Sequence, residues 1–136
     1  MSQFHLIIVT PDGEKYNGMA ESLLVKTDSG DVEILDKHTD YFAHLATGRA
    51  RIITPEEKTL KASCSGGVLS VSKSEVKLVA TTFEFASEID LQRATLAKER
   101  AEEAIRDAKD DVILRVAKAK LLRAVTRINV AENYKR

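Results

Sequence analysis

Hydrophobic and polar positions follow two different periods along this chain, and the change falls near Ser87. Before Ser87, short apolar runs rich in β-branched residues alternate with turn sequences such as Pro11-Asp12-Gly13 and Asp28-Ser29-Gly30. Such runs, with tight turns and no helical pattern between them, are typical of an antiparallel sandwich or barrel. The predicted strands cover residues 4–10, 20–26, 31–35, 49–54, 59–65, 68–72 and 75–82.

After Ser87, apolar residues recur at steps of three and four, which is the period of an amphipathic helix. Asp90 is a suitable N-cap for a first helix, and Lys109-Asp110-Asp111 interrupts the pattern and offers an N-cap for a second. We therefore predict an antiparallel hairpin with one arm near 90–107 and the other near 111–132. The predicted contact stripes are Leu91, Ala94, Thr95, Ala101, Ala104, Ile105 and Ala108 on the first arm, and Val112, Val116, Ala119, Leu122, Val125 and Ile128 on the second.

These patterns predict a β + α fold with two domains. An N-terminal antiparallel β-sandwich (1–86) is followed by a C-terminal two-helix antiparallel hairpin (87–136). The hairpin stripes are rich in alanine, and burial contributes roughly 0.8 kcal/mol per methylene. We therefore expect the hairpin to dock weakly, and a weakly docked helical hairpin is suited to changing position.

Charge is balanced over the chain but unevenly distributed along it. The 21 Lys/Arg and 21 Asp/Glu residues give no net field that favours nucleic acid. Residues 1–86 have 9 basic and 12 acidic residues (−3), whereas 87–136 have 12 basic and 9 acidic residues (+3). The last stretch, 112–136, contains seven basic residues and one acid, Glu132, so the second arm is cationic.

Several classes of protein are excluded by what the sequence lacks. One cysteine, Cys64, cannot form an internal disulfide and suits a reducing compartment; the alternation around it predicts a buried thiol. We find no signal peptide and no run of ~18 apolar residues, so we expect contact with a membrane only through partners. The three histidines lack metal-ligand spacing, and neither a P-loop nor an activated nucleophile is present, which predicts a non-enzymatic protein without a metal site.

Four segments spread over most of the chain form a series. They are Val9-Thr10-Pro11-Asp12-Gly13, Ser29-Gly30-Asp31-Val32-Glu33-Ile34-Leu35-Asp36-Lys37-His38, Ser65-Gly66-Gly67-Val68-Leu69-Ser70-Val71 and Ile89-Asp90-Leu91-Gln92-Arg93-Ala94. In this order and spacing they resemble the epsilon subunit of the bacterial-type F-type ATP synthases. Three positions depart from the family pattern: Glu33 replaces a glycine, and Asp36 and Asp40 stand where prolines are common.

The resemblance implies a non-catalytic subunit of the central stalk, at the cytoplasmic face of the bacterial cell membrane. There it would join the gamma (shaft) subunit to the ring of c subunits in a proton- or sodium-translocating enzyme. It also implies that the hairpin inhibits ATP hydrolysis by engaging the alpha/beta catalytic head. The residues alone leave two other functions open, a free-standing ATP-sensing regulator and a scaffold whose hairpin forms a coiled coil with an unrelated protein.

The resemblance further implies three sets of functional residues. The nucleotide set, expected to bind ATP as a regulatory ligand, with or without Mg²⁺, is Glu84, Ile89, Asp90, Arg93, Ala94, Arg100, Arg123 and Arg127. The basic set, expected to contact the catalytic head, is Arg115, Lys118, Lys120, Arg123 and Arg127. The loop set, expected to contact the ring and the shaft, is Asp31, Glu33 and His38.

Helical spacing gives the arginines a chemical rationale. Arg93 and Arg100 lie two turns apart on one face, and Arg123 and Arg127 form an i,i+4 pair. Guanidinium groups match phosphate oxygens in geometry and charge, so two facing stripes of arginine suit a nucleotide. The alternative is that these arginines form ordinary ion pairs within the hairpin. The candidate partners are Glu99, Glu102, Glu103 and Asp107.

Overall fold

The structure, a computed structural model, describes residues 2–73 and 75–134. The outer ends of the two predicted domains, Met1 and residues 135–136, lie outside the described residues, as does Ser74. The strands are β1 Phe4–Thr10, β2 Gly13–Ala20, β3 Ser22–Thr27, β4 Gly30–Ile34, β5 Tyr41–His44, β6 Gly48–Ile53, β7 Thr59–Ser65, β8 Val68–Val71, β9 Val76–Val79 and β10 Thr82–Phe85. A short 3₁₀ helix (Ala86–Glu88) leads into α1 (Leu91–Asp107) and α2 (Asp111–Tyr134).

The strands form two five-stranded sheets with the orders β2-β1-β9-β8-β5 and β10-β7-β6-β3-β4. The apolar core between the sheets draws on both of them. Its largest fully buried side chains are Phe83, Leu6, Ile8, Leu23, Ile34, Ile52, Leu69, Leu78 and Val25. The prediction of a β-sandwich followed by a helical hairpin is confirmed. One strand pair departs from it, because β1 and β9 run parallel while the other pairs run antiparallel.

Two strands escape the sequence pattern because they lie at sheet edges. β2 contains two glycines, a glutamate, a lysine and an asparagine, residues that are depleted in strands, and it pairs only with β1 in its sheet. β5 has four residues and closes the other edge of the same sheet. Edge strands are paired on one side, so their sequences need less apolar alternation than those of central strands.

The prediction of one strand over 75–82 is wrong, because two strands, β9 and β10, share this segment. The chain leaves the first sheet after β9 and enters the second at β10, and the crossing falls at Ala80 and Thr81. The Ala80 backbone N–H donates to the Val9 carbonyl (3.0 Å), whereas that of Thr81 donates to the Ser65 carbonyl (3.1 Å). Hydrogen bonds to opposite sheets from adjacent residues explain why one apolar run serves two strands.

The Gly-Gly step before β8 lies against this crossing. Gly67 has φ +102°, and a Cβ built on it would lie 1.9 Å from the Val79 carbonyl oxygen. That separation leaves no room for a side chain, and the backbone conformation favours glycine. Glycine at this position therefore permits the close approach between the backbone at Gly67 and that of Val79 and Ala80.

Both helices begin at the predicted aspartates. The Asp90 carboxylate accepts from the Arg93 backbone N–H (3.1 Å), and the Asp110 carboxylate accepts from that of Ile113 (2.8 Å). Such side-chain caps satisfy backbone donors that the first helical turn leaves free. The short loop between the helices brings α1 and α2 into contact as a hairpin.

The seam between the helices consists mainly of alanine. Ala94 and Ala101 of α1 and Ala117 and Ala124 of α2 are buried. The predicted stripe on α2 is wrong at most of its positions, because Val112 is 65% exposed, Val116 and Leu122 are each 50% exposed, and Ala119 is also exposed. α2 has apolar residues on more than one side, so the period alone could not identify the side that meets α1.

The hairpin also docks on the sandwich through α2. α2 contacts β7, β6 and the 3₁₀ helix, and Thr126, Val130 and Ala131 are buried. The second half of α2 therefore packs against both α1 and the sandwich, while several apolar residues of its first half stay exposed. Within the described part of the chain, no helix is long and apolar enough to cross a bilayer.

Candidate functional site

A cleft of about 640 Å³ lies where the hairpin meets the sandwich. The sandwich contributes the end of β1, the β1–β2 turn, β2 and β10. The linker between the sandwich and α1 (residues 86–90) contributes Glu88, Ile89 and Asp90, and α1 forms the opposite wall. Arg127 enters from α2. The cleft is thus shared between the two halves of the chain, and a ligand in it touches both.

Seven of the eight residues of the nucleotide set line this cleft. They are Glu84, Ile89, Asp90, Arg93, Ala94, Arg100 and Arg127. Arg93 and Arg100 lie on the same wall of the cleft because they are two helical turns apart on α1. Arg127 and Glu84 are 43 residues apart in the sequence, and the docking of α2 brings them together. ATP binding by these residues stays a prediction.

Arg123 lies elsewhere, in an adjoining groove of about 620 Å³. Hydroxyl-bearing residues line this groove, and the Thr47 and Ser65 hydroxyls are 3.1 Å apart. Thr82 lines both the groove and the cleft, so the two spaces are neighbours. Arg123 therefore reaches a nucleotide in the cleft only if the ligand extends past Thr82 or the side chain changes position.

The linker is organised by its own carboxylates. The Phe85 backbone N–H donates to Glu88 Oε1 (3.1 Å), and the Ile89 N–H donates to the Ala86 carbonyl (3.3 Å). Asp90 follows at once as the N-cap of α1. These contacts fix the direction in which α1 leaves the sandwich. A substitution of Asp90 consequently affects the start of the helix as well as any ligand.

Charges in the cleft are balanced. The cationic residues are Lys15, Arg93, Arg100 and Arg127, and the acidic residues are Asp12, Glu84, Glu88 and Asp90. Two cations have a carboxylate nearby. Arg127 Nε lies 2.5 Å from Glu84 Oε1, within hydrogen-bond range, whereas Lys15 Nζ lies 3.8 Å from Glu88 Oε2, beyond that range. Within residues 2–73 and 75–134, Arg93 and Arg100 form no ion pair, so their guanidinium groups are available to an anion.

The alternative of ion pairs inside the hairpin finds no support in the described ranges. The arginines of the nucleotide set form one ion pair there, and its acid is Glu84 of the sandwich. None of the candidate partners on α1 takes part. The pair between Arg127 and Glu84 fastens α2 to β10.

The sequence prediction did not include eight of the lining residues, and five of these eight are polar or charged. These five are Thr10, Asp12, Lys15, Thr82 and Glu88. Thr10, Asp12 and Lys15 come from the first hairpin of the sandwich, more than 70 residues before the arginines in the sequence. No local pattern links them to the helices, because the order of the strands brings them to the cleft. Glu88 had a signal, since it lies next to the predicted helix start.

The basic set is divided by the docking of α2. Arg115, Lys118 and Lys120 are exposed, whereas Arg123 and Arg127 are half-buried against the sandwich. The first three can meet an acidic partner while the hairpin stays folded. Arg123 and Arg127 become fully accessible after the hairpin leaves the sandwich.

The loop set lies at the edge of the second sheet and in the connection that follows. Asp31 is exposed on β4, and His38 is half-buried, with its ring edge-on to Tyr41 (5.7 Å between centroids). Glu33 is engaged within the chain, because Oε2 accepts from Ser22 Oγ (2.9 Å) and Arg51 Nη2 (2.6 Å). Glu33 therefore has less freedom to contact a partner than Asp31.

Cys64 behaves as the sequence alternation predicts. It is buried between the two sheets, and burial raises the pKa of its thiol from 9.0 to about 12. A thiol of this kind is unreactive near neutral pH. Among the described residues, no group of three or more His, Cys, Asp or Glu side chains could hold a metal ion.

Comparison with known proteins identifies the family. The β-sandwich domain of the ATP synthase delta/epsilon chain matches residues 3–86, and the long alpha-helix domain of the same chain matches residues 87–132. An ATP synthase epsilon chain of Bacillus velezensis is 40% identical over 126 residues, covering 93% of this chain and 95% of the relative. One of Shouchella clausii is 38% identical over 133 residues, covering 98% of each.

A solved structure shows the same fold. It is a chain in the cryo-EM structure of the Euglena gracilis mitochondrial ATP synthase, with a TM-score of 0.79 and 18% identity, covering 100% of this chain and 83% of the other. The matched domains, the bacterial relatives and the observed sandwich and hairpin agree. The chain therefore belongs to the ATP synthase delta/epsilon family, as an epsilon subunit of the bacterial F-type enzyme.

Proposed function

We propose that the chain joins the gamma subunit to the ring of c subunits through its sandwich and restrains ATP hydrolysis through its hairpin, with ATP favouring the folded hairpin. As an epsilon chain it is a non-catalytic stalk subunit. The Euglena assembly that contains the similar fold is described as comprising OSCP, F1 and the c-ring, and this supports a place in the same kind of assembly here.

The sandwich suits a permanent attachment. Its core is made of strand residues from both sheets and includes no residue of α1 or α2. Movement of the hairpin therefore leaves this core intact. Asp31, exposed at an open sheet edge, and the neighbouring His38 offer polar groups to the ring and the shaft.

The hairpin suits a movable element. Its buried seam offers mainly methyl groups, each contributing roughly 0.8 kcal/mol. One ion pair, Arg127–Glu84, ties α2 to β10. The rest of the contact with the sandwich is the packing of the second half of α2 on β6, β7 and the 3₁₀ helix, where the buried side chains Thr126, Val130 and Ala131 are small. An interface of this size is compatible with undocking at a cost that partners or ligands can offset.

The exposed cations of α2 supply the inhibitory contact. Arg115, Lys118 and Lys120 already face solvent, and undocking adds Arg123 and Arg127 to the accessible cations of α2. A helix with this charge complements an acidic surface of the catalytic head. Inhibition would then be strongest when the hairpin is extended.

The shared cleft is the observation that supports the ATP proposal. Glu84 belongs to the sandwich, whereas Arg93, Arg100 and Arg127 belong to the hairpin. A ligand that needs both halves binds the folded state alone and shifts the equilibrium toward it. ATP would thereby act as a regulatory ligand, and its loss would release the hairpin.

Truncation after residue 86 tests the division of roles. The truncated chain, assembled with the remaining subunits, should keep assembly and ATP synthesis and should show higher ATP hydrolysis than the full chain. The measurement is ATPase activity and subunit content of the purified enzyme. An enzyme that fails to assemble, or that hydrolyses ATP at the rate of the full-length form, contradicts the proposal.

A further inference from the structure

Lys15 lies in the cleft and belongs to none of the three predicted sets. It is on β2, and its side chain is 24% exposed. The same cleft is lined by linker residues and, on the wall opposite the sandwich, by α1. Lys15 is the one cation that the sandwich contributes among the described residues lining the cleft, since the other three belong to α1 and α2.

The ammonium group of Lys15 is loosely held. Its Nζ lies 3.8 Å from Glu88 Oε2, beyond the usual hydrogen-bond range of roughly 2.7–3.2 Å. Glu88 uses its other oxygen to accept from the Phe85 backbone N–H. Within the described residues Lys15 makes no side-chain hydrogen bond, so its three donors remain available to a ligand.

We propose that Lys15 is a further ligand-contacting residue of the cleft, which binds a phosphate group of ATP from the sandwich side. This inference rests on the proposed ATP site. A lysine ammonium binds anions as a compact point charge, and the phosphates are the anionic part of a nucleotide.

This position gives Lys15 a role that the arginines cannot fill. Arg93, Arg100 and Arg127 all move with the hairpin, so phosphate contacts with them alone would not fasten the hairpin to the sandwich. A phosphate held between Lys15 and these arginines bridges the two halves. The contact with Lys15 thereby lets ATP binding stabilise the docked hairpin.

Titration calorimetry of the full chain with ATP tests the proposal. Lys15→Ala should weaken ATP binding about 10-fold, which is typical of one lost charge-assisted hydrogen bond. Lys15→Arg should restore most of the affinity because it keeps the charge. Lys61→Ala is the matched control. Lys15 and Lys61 both line a separate groove of about 540 Å³ on the sandwich, but Lys61 does not line the cleft.

A second measurement separates ligand contact from a structural role. Urea titration of the hairpin–sandwich separation should give Lys15→Ala the wild-type midpoint without ATP and a smaller rise in midpoint with ATP. A lowered midpoint without ATP would make Lys15 a structural residue and overturn the proposal.

The outcomes distinguish this inference from the function on which it rests. If the wild-type chain gives no heat with ATP, the ATP site itself fails. If wild type binds ATP and Lys15→Ala binds it equally well, the role of Lys15 alone is refuted. Equal losses in Lys15→Ala and Lys61→Ala would indicate a general field effect and would also refute the contact.

Discussion

Replacing Glu84 with glutamine should weaken the docking of the hairpin before any ligand is added. The change removes the charge that holds Arg127 and keeps the size of the side chain. The two atoms lie 2.5 Å apart, and the side chains are 33% (Glu84) and 27% (Arg127) exposed. Arg127 itself is not substituted, so all five residues of the basic set are retained.

The magnitude follows from the geometry of the pair. Hydrogen bonds to charged groups contribute about 1.5–3 kcal/mol, and partial exposure places this pair at the lower end. A loss of about 1.5 kcal/mol changes the docking equilibrium roughly tenfold. This loss is as large as that from exposing about two buried methyl groups, so the effect should be measurable.

The assay is a urea titration of the distance between two labels on the ligand-free chain. Cysteines at the exposed positions Ser29 and Lys109 place one label on the sandwich and one at the hairpin turn. Cys64 can remain, because its buried thiol is protonated near neutral pH. The linear dependence on urea then yields the free energy of undocking.

Arg123→Gln is the control, since Arg123 lies on the same helix and forms no ion pair within the described residues. A double-mutant cycle with Arg127→Ala should give a coupling energy of about 1 kcal/mol or more. An undocking free energy that Glu84→Gln leaves unchanged, or strictly additive single effects, would refute the view that this pair fastens α2 to β10.

Two further predictions concern the basic set and the buried thiol. Alanine at all five positions of the basic set should relieve inhibition of hydrolysis in the assembled enzyme. Single changes at the exposed residues Arg115, Lys118 and Lys120 should be near silent, because exposed pairs contribute only about 0.2–1 kcal/mol each. Unchanged inhibition by the five-fold variant in an ATPase assay would indicate steric blocking instead. Burial raises the pKa of Cys64 from 9.0 to about 12, so the thiol stays protonated in the folded chain while the unfolded chain releases its proton above pH 9. Its contribution to stability is therefore complete below pH 9 and is lost as pH rises toward 12, by up to about 1.4 kcal/mol per pH unit. Urea unfolding of wild type and Cys64→Ala should show this slope in their difference, and parallel pH profiles would contradict it.

Local pattern was sufficient for elements whose environment is simple. The strands at 4–10 and 59–65 and the aspartate caps of both helices lie where the sequence predicts them. β2 was missed because an edge strand needs little apolar alternation, and the face of α2 was misplaced because this helix has two partners.

The site residues at the start of α1 could be predicted from the local sequence pattern, whereas those from the sandwich and α2 could not. Asp90, Arg93 and Arg100 share the cleft because helical spacing puts them there. Lys15 and Thr10 reach it through the order of strands in the sandwich, and Arg123 falls outside it because of how α2 meets β7 and β10. Contacts set by tertiary docking leave no periodic signal in the sequence.

The most direct test of the account is the response of the hairpin to ATP. The doubly labelled full chain is titrated with urea in the absence and presence of ATP, beside the Arg93→Ala variant. ATP at a hundredfold excess over Kd should raise the undocking free energy by about 2.7 kcal/mol in wild type, and by clearly less in Arg93→Ala at the same concentration. No change in the label separation or in the urea midpoint at millimolar ATP would contradict it and would leave the arginines without a ligand.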